Sequence, residues 1–304
     1  MVIKVDKVAT LAGHKDCIYT LEKSPDEFYF FSAGGDGLIV RWDINNPEIG
    51  DLIVKIPNSV YAIHCLPARN QLLVGQNFEG LHLIDLSSKK EIQSVKITAS
   101  YIFDIQSWET AIFVACGDGL LTVLDLETLA VRKHIKASDK SARSIAINPQ
   151  NGEFAVAYSD HFIRVFDLQS LNLKYTLAGH QNSVFSLTYS PDGNTLISGS
   201  RDAKLKFWDV NSQYQLKENI VAHLYAINHI TFSPSGDYFA TCSMDKSIKL
   251  WDYKNLRLLK VIDRARHAGH GTSVNKLFWS THQGRLVSGS DDRTLSVWEL
   301  KFGI

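Results

Sequence analysis

Ser198, His180 and Asp202 stand close together in the chain, and they are the residue types of a nucleophilic relay. A hydroxyl attacks, an imidazole takes its proton, and a carboxylate orients the ring. Their setting argues against that chemistry. Nothing resembling a GxSxG elbow surrounds Ser198 in "TLISGSRDAKLKFWDV" (195–210), and the same layout recurs in "FFSAGGDGLIVRWDI" (30–44), "YFATCSMDKSIKLWDY" (238–253) and "RLVSGSDDRTLSVWEL" (285–300). In each copy a small hydroxyl residue precedes an Asp, and a Trp stands six positions after it: Asp36/Trp42, Asp202/Trp208, Asp245/Trp251 and Asp292/Trp298. A catalytic constellation sits in one cleft, whereas four copies along one chain point to scaffolding.

The elements that carry these residues repeat throughout the chain. "VACGDGLLTVLDL" (114–126) and "VAYSDHFIRVFDL" (156–168) keep the Asp but put Leu124 and Phe166 where Trp stood. "VGQNFEGLHLIDL" (74–86) has Ile84 there and only Glu79, one place out of register. The Trp-equivalent positions 42, 84, 124, 166, 208, 251 and 298 are separated by 42, 40, 42, 42, 43 and 47 residues, the length of a four-stranded propeller blade. Within the fifth period, "SVFSLTYS", "TLISGS", "KLKFWDV" and "QLKENIV" read as short strands separated by the turns "SPDG" and "RDAK",. With no sustained helical period and no linker, residues 1–304 are predicted to be one domain.

On these motifs the chain resembles the WD-repeat β-propellers, with four strong repeats and three degenerate ones. The resemblance implies an all-β fold, a seven-bladed propeller of four-stranded antiparallel blades. It also implies closure by the N-terminal segment, so residues 3 to 9 or so should pair beside "LSVWEL" and remove an open edge. It assigns the recurrent polar residues to hydrogen-bonded structural tetrads: His14/Ser32/Asp36/Trp42, His180/Ser198/Asp202/Trp208, His223/Thr241/Asp245/Trp251 and His270/Ser288/Asp292/Trp298. Indole only donates, carboxylate only accepts, and hydroxyl and imidazole do both, so the four can form a chain.

Composition narrows the function classes. Lys plus Arg and Asp plus Glu each number 32, so the cationic excess of a phosphate-backbone binder is missing and nucleic acid is not the expected partner. No apolar stretch has the length of a signal peptide or a membrane span, and no membrane association is expected. Cys17, Cys65, Cys116 and Cys242 are widely spaced in apolar stretches. They read as reduced, buried thiols of a cytoplasmic protein.

Other chemistry finds little support. His267 and His270 in "RARHAGHG" lack the further ligands that zinc requires. The glycine turns "GGDG" and "GDG" precede no helix that could hold phosphate, and "SPDG" and "SPSG" lack the carboxylates of a calcium loop. No cofactor, metal or catalytic residue is expected.

Function should then lie on a surface. The resemblance implies a partner face to which each blade gives the residues flanking the first strand's leading apolar residue and the one before the tetrad Asp. Large aromatics and arginines gather there: Tyr19, Tyr61, Tyr101, Phe103, Arg143, Phe185 and Arg201, the types that dominate interface hot spots. The widest repeat interval adds a loop bearing Arg264, Arg266 and His267. The expected function is a non-enzymatic scaffold or adaptor binding a protein or peptide, monomeric in isolation. The alternative is a propeller hydrolase or lyase with a face or channel site not visible in sequence.

Overall fold

The structure, a computed structural model, describes residues 3–303. Among the described residues the strands form seven four-stranded sheets, each built in chain order from one sequence period except the last. We number the blades by their first strands: Ile18–Lys23, Val60–Leu66, Ile102–Trp108, Ala142–Asn148, Val184–Tyr189, Ile227–Phe232 and Val274–Trp279. The seventh sheet is completed by Ile3–Ala12, which runs antiparallel to Thr294–Phe302 with Val5 opposite Leu300 and Leu11 opposite Leu295. The N-terminal strand therefore closes the last blade, as the resemblance implies.

Burial follows strand position. The second strands Ala111–Cys116, Glu153–Tyr158 and Thr195–Ser200 are buried along their whole length. That explains near-continuous apolar runs such as "AIFVAC": a strand covered on both faces has no polar alternation to show. Phe113 and Phe154 are fully buried with ring centroids 4.9 Å apart, and each such side chain contributes about 1.5–3 kcal/mol through area removed from water. The fourth strands are the opposite case, and Gln215–Val221 is exposed at nearly every position. Tight turns join the strands. Gly37 has φ +70°, and a Cβ there would come 2.2 Å from the Ile56 carbonyl oxygen, so the turn accepts only glycine.

The chain forms two compact units. One comprises Met1–Gln76, His82–Ile92 and Thr231–Ile304, the other Asn77–Leu81 and Gln93–Ile230. Within the second unit, consecutive blades are tied through their first strands. Asp104 accepts from the Ile145 N–H at 2.7 Å, Ser144 from Leu187 at 3.2 Å and Ser186 from Ile230 at 3.1 Å. Ser141 and Ser183 donate to the Gly117 and Ser159 carbonyls of the preceding blade. In the first unit the Cys17 thiol reaches the Asp291 carbonyl in the same way.

One sequence expectation needs correction. Cys17 is half-buried and lies just before the strand Ile18–Lys23 rather than inside it, because its thiol spans to the neighbouring turn. The other three cysteines are buried, and burial pushes the Cys65 and Cys116 thiols up to about 12. The wide loop of the seventh period contains one helical turn, Arg264–His267, capped by the Asp263 side chain.

Candidate functional site

The recurrent His, Ser, Asp and Trp form hydrogen-bonded chains. In blade five, His180 Nδ1 lies 2.9 Å from Asp202, its Nε2 lies 2.8 Å from Ser198 Oγ, and the Trp208 indole donates to that Oγ at 2.9 Å. Blade one repeats this with Ser32 Oγ at 2.7 Å from both His14 Nε2 and Trp42 Nε1. Blade seven repeats it with Ser288 at 2.8 Å from His270 Nε2 and 2.9 Å from Trp298 Nε1. In blade six the Trp251 indole donates to Thr241 at 3.0 Å. The carboxylate beside Nδ1 can only accept, so Nδ1 carries a proton, and neutral Nε2 accepts from the serine. Ser198 is fully buried and no substrate can reach its hydroxyl.

The electrostatics suit a fixed link. Burial alone would raise the Asp202 carboxyl, but the His180 ring and the backbone N–H groups of Gln181 and Lys204 outweigh it and hold it at about 2. For His180 burial prevails over the Asp202 attraction and lowers the imidazole below its ordinary value, which favours the neutral ring that the chain needs.

The degenerate blades solve the same problem with other chemistry. In blade three Thr98 donates to Asp118 at 3.0 Å. Ser138 of blade four likewise bonds Asp160, which also pairs with Arg164 at 2.8 Å. The lower two links become apolar, Val114/Leu124 in one blade and Val156/Phe166 in the other, all buried. In blade two Ile56, Val74 and Ile84 take the His, Ser and Trp positions and join one apolar cluster.

Five of the expected partner residues, Tyr19, Tyr61, Phe103, Arg143 and Phe185, occupy a recurrent irregularity. The pairing of first and second strands skips one residue between Ile18 and Thr20, Val60 and Ala62, Ile102 and Asp104, Ala142 and Ser144, Val184 and Ser186, and Val274 and Lys276. The skipped residues are Tyr19, Tyr61, Phe103, Arg143, Phe185 and Asn275. A bulge leaves a residue out of the ladder and re-aims its side chain, so every blade with this bulge turns one side chain away from its regular pleat.

In the second unit these side chains meet. The Arg143 guanidinium lies 3.7 Å from the Phe103 ring centroid and 4.6 Å from that of Phe185, a cation between two π faces. Phe103 stacks on Tyr101 at 5.7 Å, and Tyr101 meets Phe78 at 4.8 Å. Phe103, Arg143 and Phe185 are half-buried, and Tyr101 and Phe78 are exposed at 40% and 44%. Arg201 is exposed, and its backbone N–H donates to the Ser183 carbonyl at 2.8 Å. In the first unit Tyr19 and Tyr61 form their own edge-on pair at 4.5 Å. Arg264 is exposed, whereas Arg266 is held by a two-pronged contact with Asp263 at 3.0 and 2.6 Å, so its guanidinium is already engaged.

Three residues at these loops escaped the sequence reading. Phe78 sits at the Asp position of blade two with φ +68°, a conformation that bulky side chains rarely adopt. Leu224 and Tyr225, before the first strand of blade six, are 82% and 64% exposed. The signal was present: "AHLYA" puts two apolar residues where the other strong repeats read "GHKD", "GHQN" and "GHGT".

The family model for WD domain, G-beta repeat, matches residues 5–43, 171–209, 214–252 and 263–299, about half of the chain. A striatin homolog of Dictyostelium discoideum is 23% identical over 69% of this chain and 30% of its own length. A guanine nucleotide-binding protein subunit beta of Zea mays is 22% identical over 68% of this chain and 59% of its own. The chain thus spans less than two thirds of these relatives. A crystal structure of the WD40 beta propeller domain of Doa1 shares the fold, with a TM-score of 0.86 over 97% of both chains at 17% identity.

Proposed function

This chain belongs to the WD-repeat family, and we propose that it is a non-enzymatic scaffold or adaptor that binds a protein or peptide partner. The observation that carries this reading is the row Tyr101, Phe103, Arg143 and Phe185, joined ring to ring and ring to cation across three blades. Aromatics supply large contact area at low cost in side-chain freedom, arginine joins them at interface hot spots, and partly exposed clusters of them mark contact surfaces. The polar groups that could have done chemistry are buried and mutually bonded, which supports a structural role for them. One relative is named as a subunit, in keeping with assembly as the working mode of the fold. Four thiols, three of them buried, support a reducing, cytoplasmic location.

The test is capture from source lysate with the wild-type chain and a Phe103→Ala/Phe185→Ala variant, the variant first shown to be folded by circular dichroism. Partners held by the wild type and lost by the variant are expected. An identical set with both baits would move the interface elsewhere, and an empty set with the wild type would overturn the adaptor reading.

A further inference from the structure

We infer that the wide loop of the seventh period is a clasp on the closing strand: Lys7 ties the two together, so the order of the loop and the seating of that strand are coupled. The coupling does not depend on the adaptor reading.

One residue type stands out of place in blade seven. Strand pairing puts Gly50 opposite Trp42, Val131 opposite Leu124, Leu173 opposite Phe166, Leu216 opposite Trp208 and Leu258 opposite Trp251. In blade seven the residue opposite Trp298 is Lys7. Glycine or an aliphatic side chain serves at this place in the other blades named, so packing there calls for no charge. The half-buried Lys7 finds three polar or aromatic neighbours instead. Its ammonium donates to the Ala268 carbonyl at 2.9 Å, lies 5.6 Å from the Trp298 ring centroid, and is attracted by the Asp292 carboxylate. Burial pulls it below the ordinary lysine value, as befits an ammonium laid against the blade rather than extended into water.

The loop holds that carbonyl in place. Its helical turn, Arg264–His267, closes on Asp263, whose carboxylate accepts from the Arg266 N–H at 2.9 Å and whose carbonyl accepts from His267 and Gly269 at 3.1 and 3.2 Å. A Cβ on Gly269 would come 2.8 Å from the Asp263 carbonyl carbon, so the closed loop has no room to spare. Two residues after Ala268, His270 enters the tetrad at 2.9 Å from Asp292 and 2.8 Å from Ser288. Lys7 thus meets the loop just before the tetrad and meets Trp298 within it. Lys7 and Ala268 are 261 residues apart, and their bond exists only while the closing strand is seated. Segments that share such a bond stabilise each other by the same free energy in either direction. A partner that ordered the loop would therefore also tighten the closing strand.

The test is hydrogen exchange of the full chain, read by mass spectrometry on peptides covering residues 3–12, 263–272 and, as a reference, 142–177. Lys7→Leu gives blade seven the residue type of Leu173, Leu216 and Leu258, and it should raise exchange in 263–272 by about five- to tenfold. Gly269→Ala keeps the loop from closing without touching the strand, and it should raise exchange in 3–12 by a similar factor. Asp263→Ala, which removes the cap, replaces Gly269→Ala if that variant does not fold. Exchange in 142–177 should stay at the wild-type rate throughout. The inference is overturned if Lys7→Leu leaves 263–272 unchanged, if the loop variant loosens only its own segment, or if exchange rises equally in the reference peptide.

Discussion

The hydroxyl of Ser198 lies 2.8 Å from His180 Nε2 in a fully buried site, so the pair that looks catalytic in sequence is a link between a loop and a strand. His180→Ala would take the imidazole acceptor from the Ser198 hydroxyl and one donor from the Asp202 carboxylate. A buried polar group without its partner costs about 1–3 kcal/mol, and the vacated ring volume adds to that. Urea unfolding should show a loss of about 2–4 kcal/mol, with partner capture intact at low temperature. Unchanged stability with lost capture would make His180 a contact residue instead.

The same link dictates an acid limb. Asp202 titrates at about 2 in the folded chain and near ~3.9 when unfolded. A depressed carboxyl contributes stability that is present above the unfolded value and lost as pH falls toward the folded one. His180 acts in the same sense: burial lowers its folded value, so the unfolded ring takes up a proton first as pH drops below ~6.5. The stability gap between wild type and Asp202→Asn should therefore shrink as pH falls from about 4 toward 2. A gap that stays constant over that window would remove Asp202 from the link.

Much of this molecule can be read from residue order, for a physical reason. The blade period and the strands follow from Trp positions and turn residues, because each repeat must satisfy the same local geometry, and the closing strand was implied by the family resemblance. The partner row was legible only in part. Phe103, Arg143 and Phe185 could be placed by register, but the skipped pairing that re-aims them leaves no mark in composition. Arg266 looked available, and its fork onto Asp263 depends on a helical turn too short to show a period. Thr98 and Ser138 were hidden because only the carboxylate they bond keeps its place.

The apolar links of the degenerate blades can be tested as a cycle. Val156 and Phe166 are buried in the positions that Ser198 and Trp208 hold in the next blade. Val156→Ser alone leaves a hydroxyl without an indole donor and should cost about 1–3 kcal/mol. Phe166→Trp alone overfills the site and should cost a similar amount, about 1–3 kcal/mol. Together they can form the indole-to-hydroxyl bond, so the double variant should be less destabilised than the sum by about 0.5–1.5 kcal/mol. Strict additivity in urea midpoints would mean that the apolar and polar links are not interchangeable at this position.

Arg143 separates the geometry of the row from its charge. The guanidinium is planar and lies between two ring faces, at 3.7 and 4.6 Å from their centroids. A lysine ammonium carries the same charge but cannot stack on two rings at once. If the sandwich positions Phe103 and Phe185, Arg143→Lys should behave nearly as Arg143→Ala, each losing about 0.5–2 kcal/mol in unfolding experiments. Both variants should also weaken partner capture, because the two rings lose the plate that spaces them. If Arg143→Lys instead retains full stability and capture, the cation matters only as a charge, and the spacing of the rings is set by the bulged backbone alone.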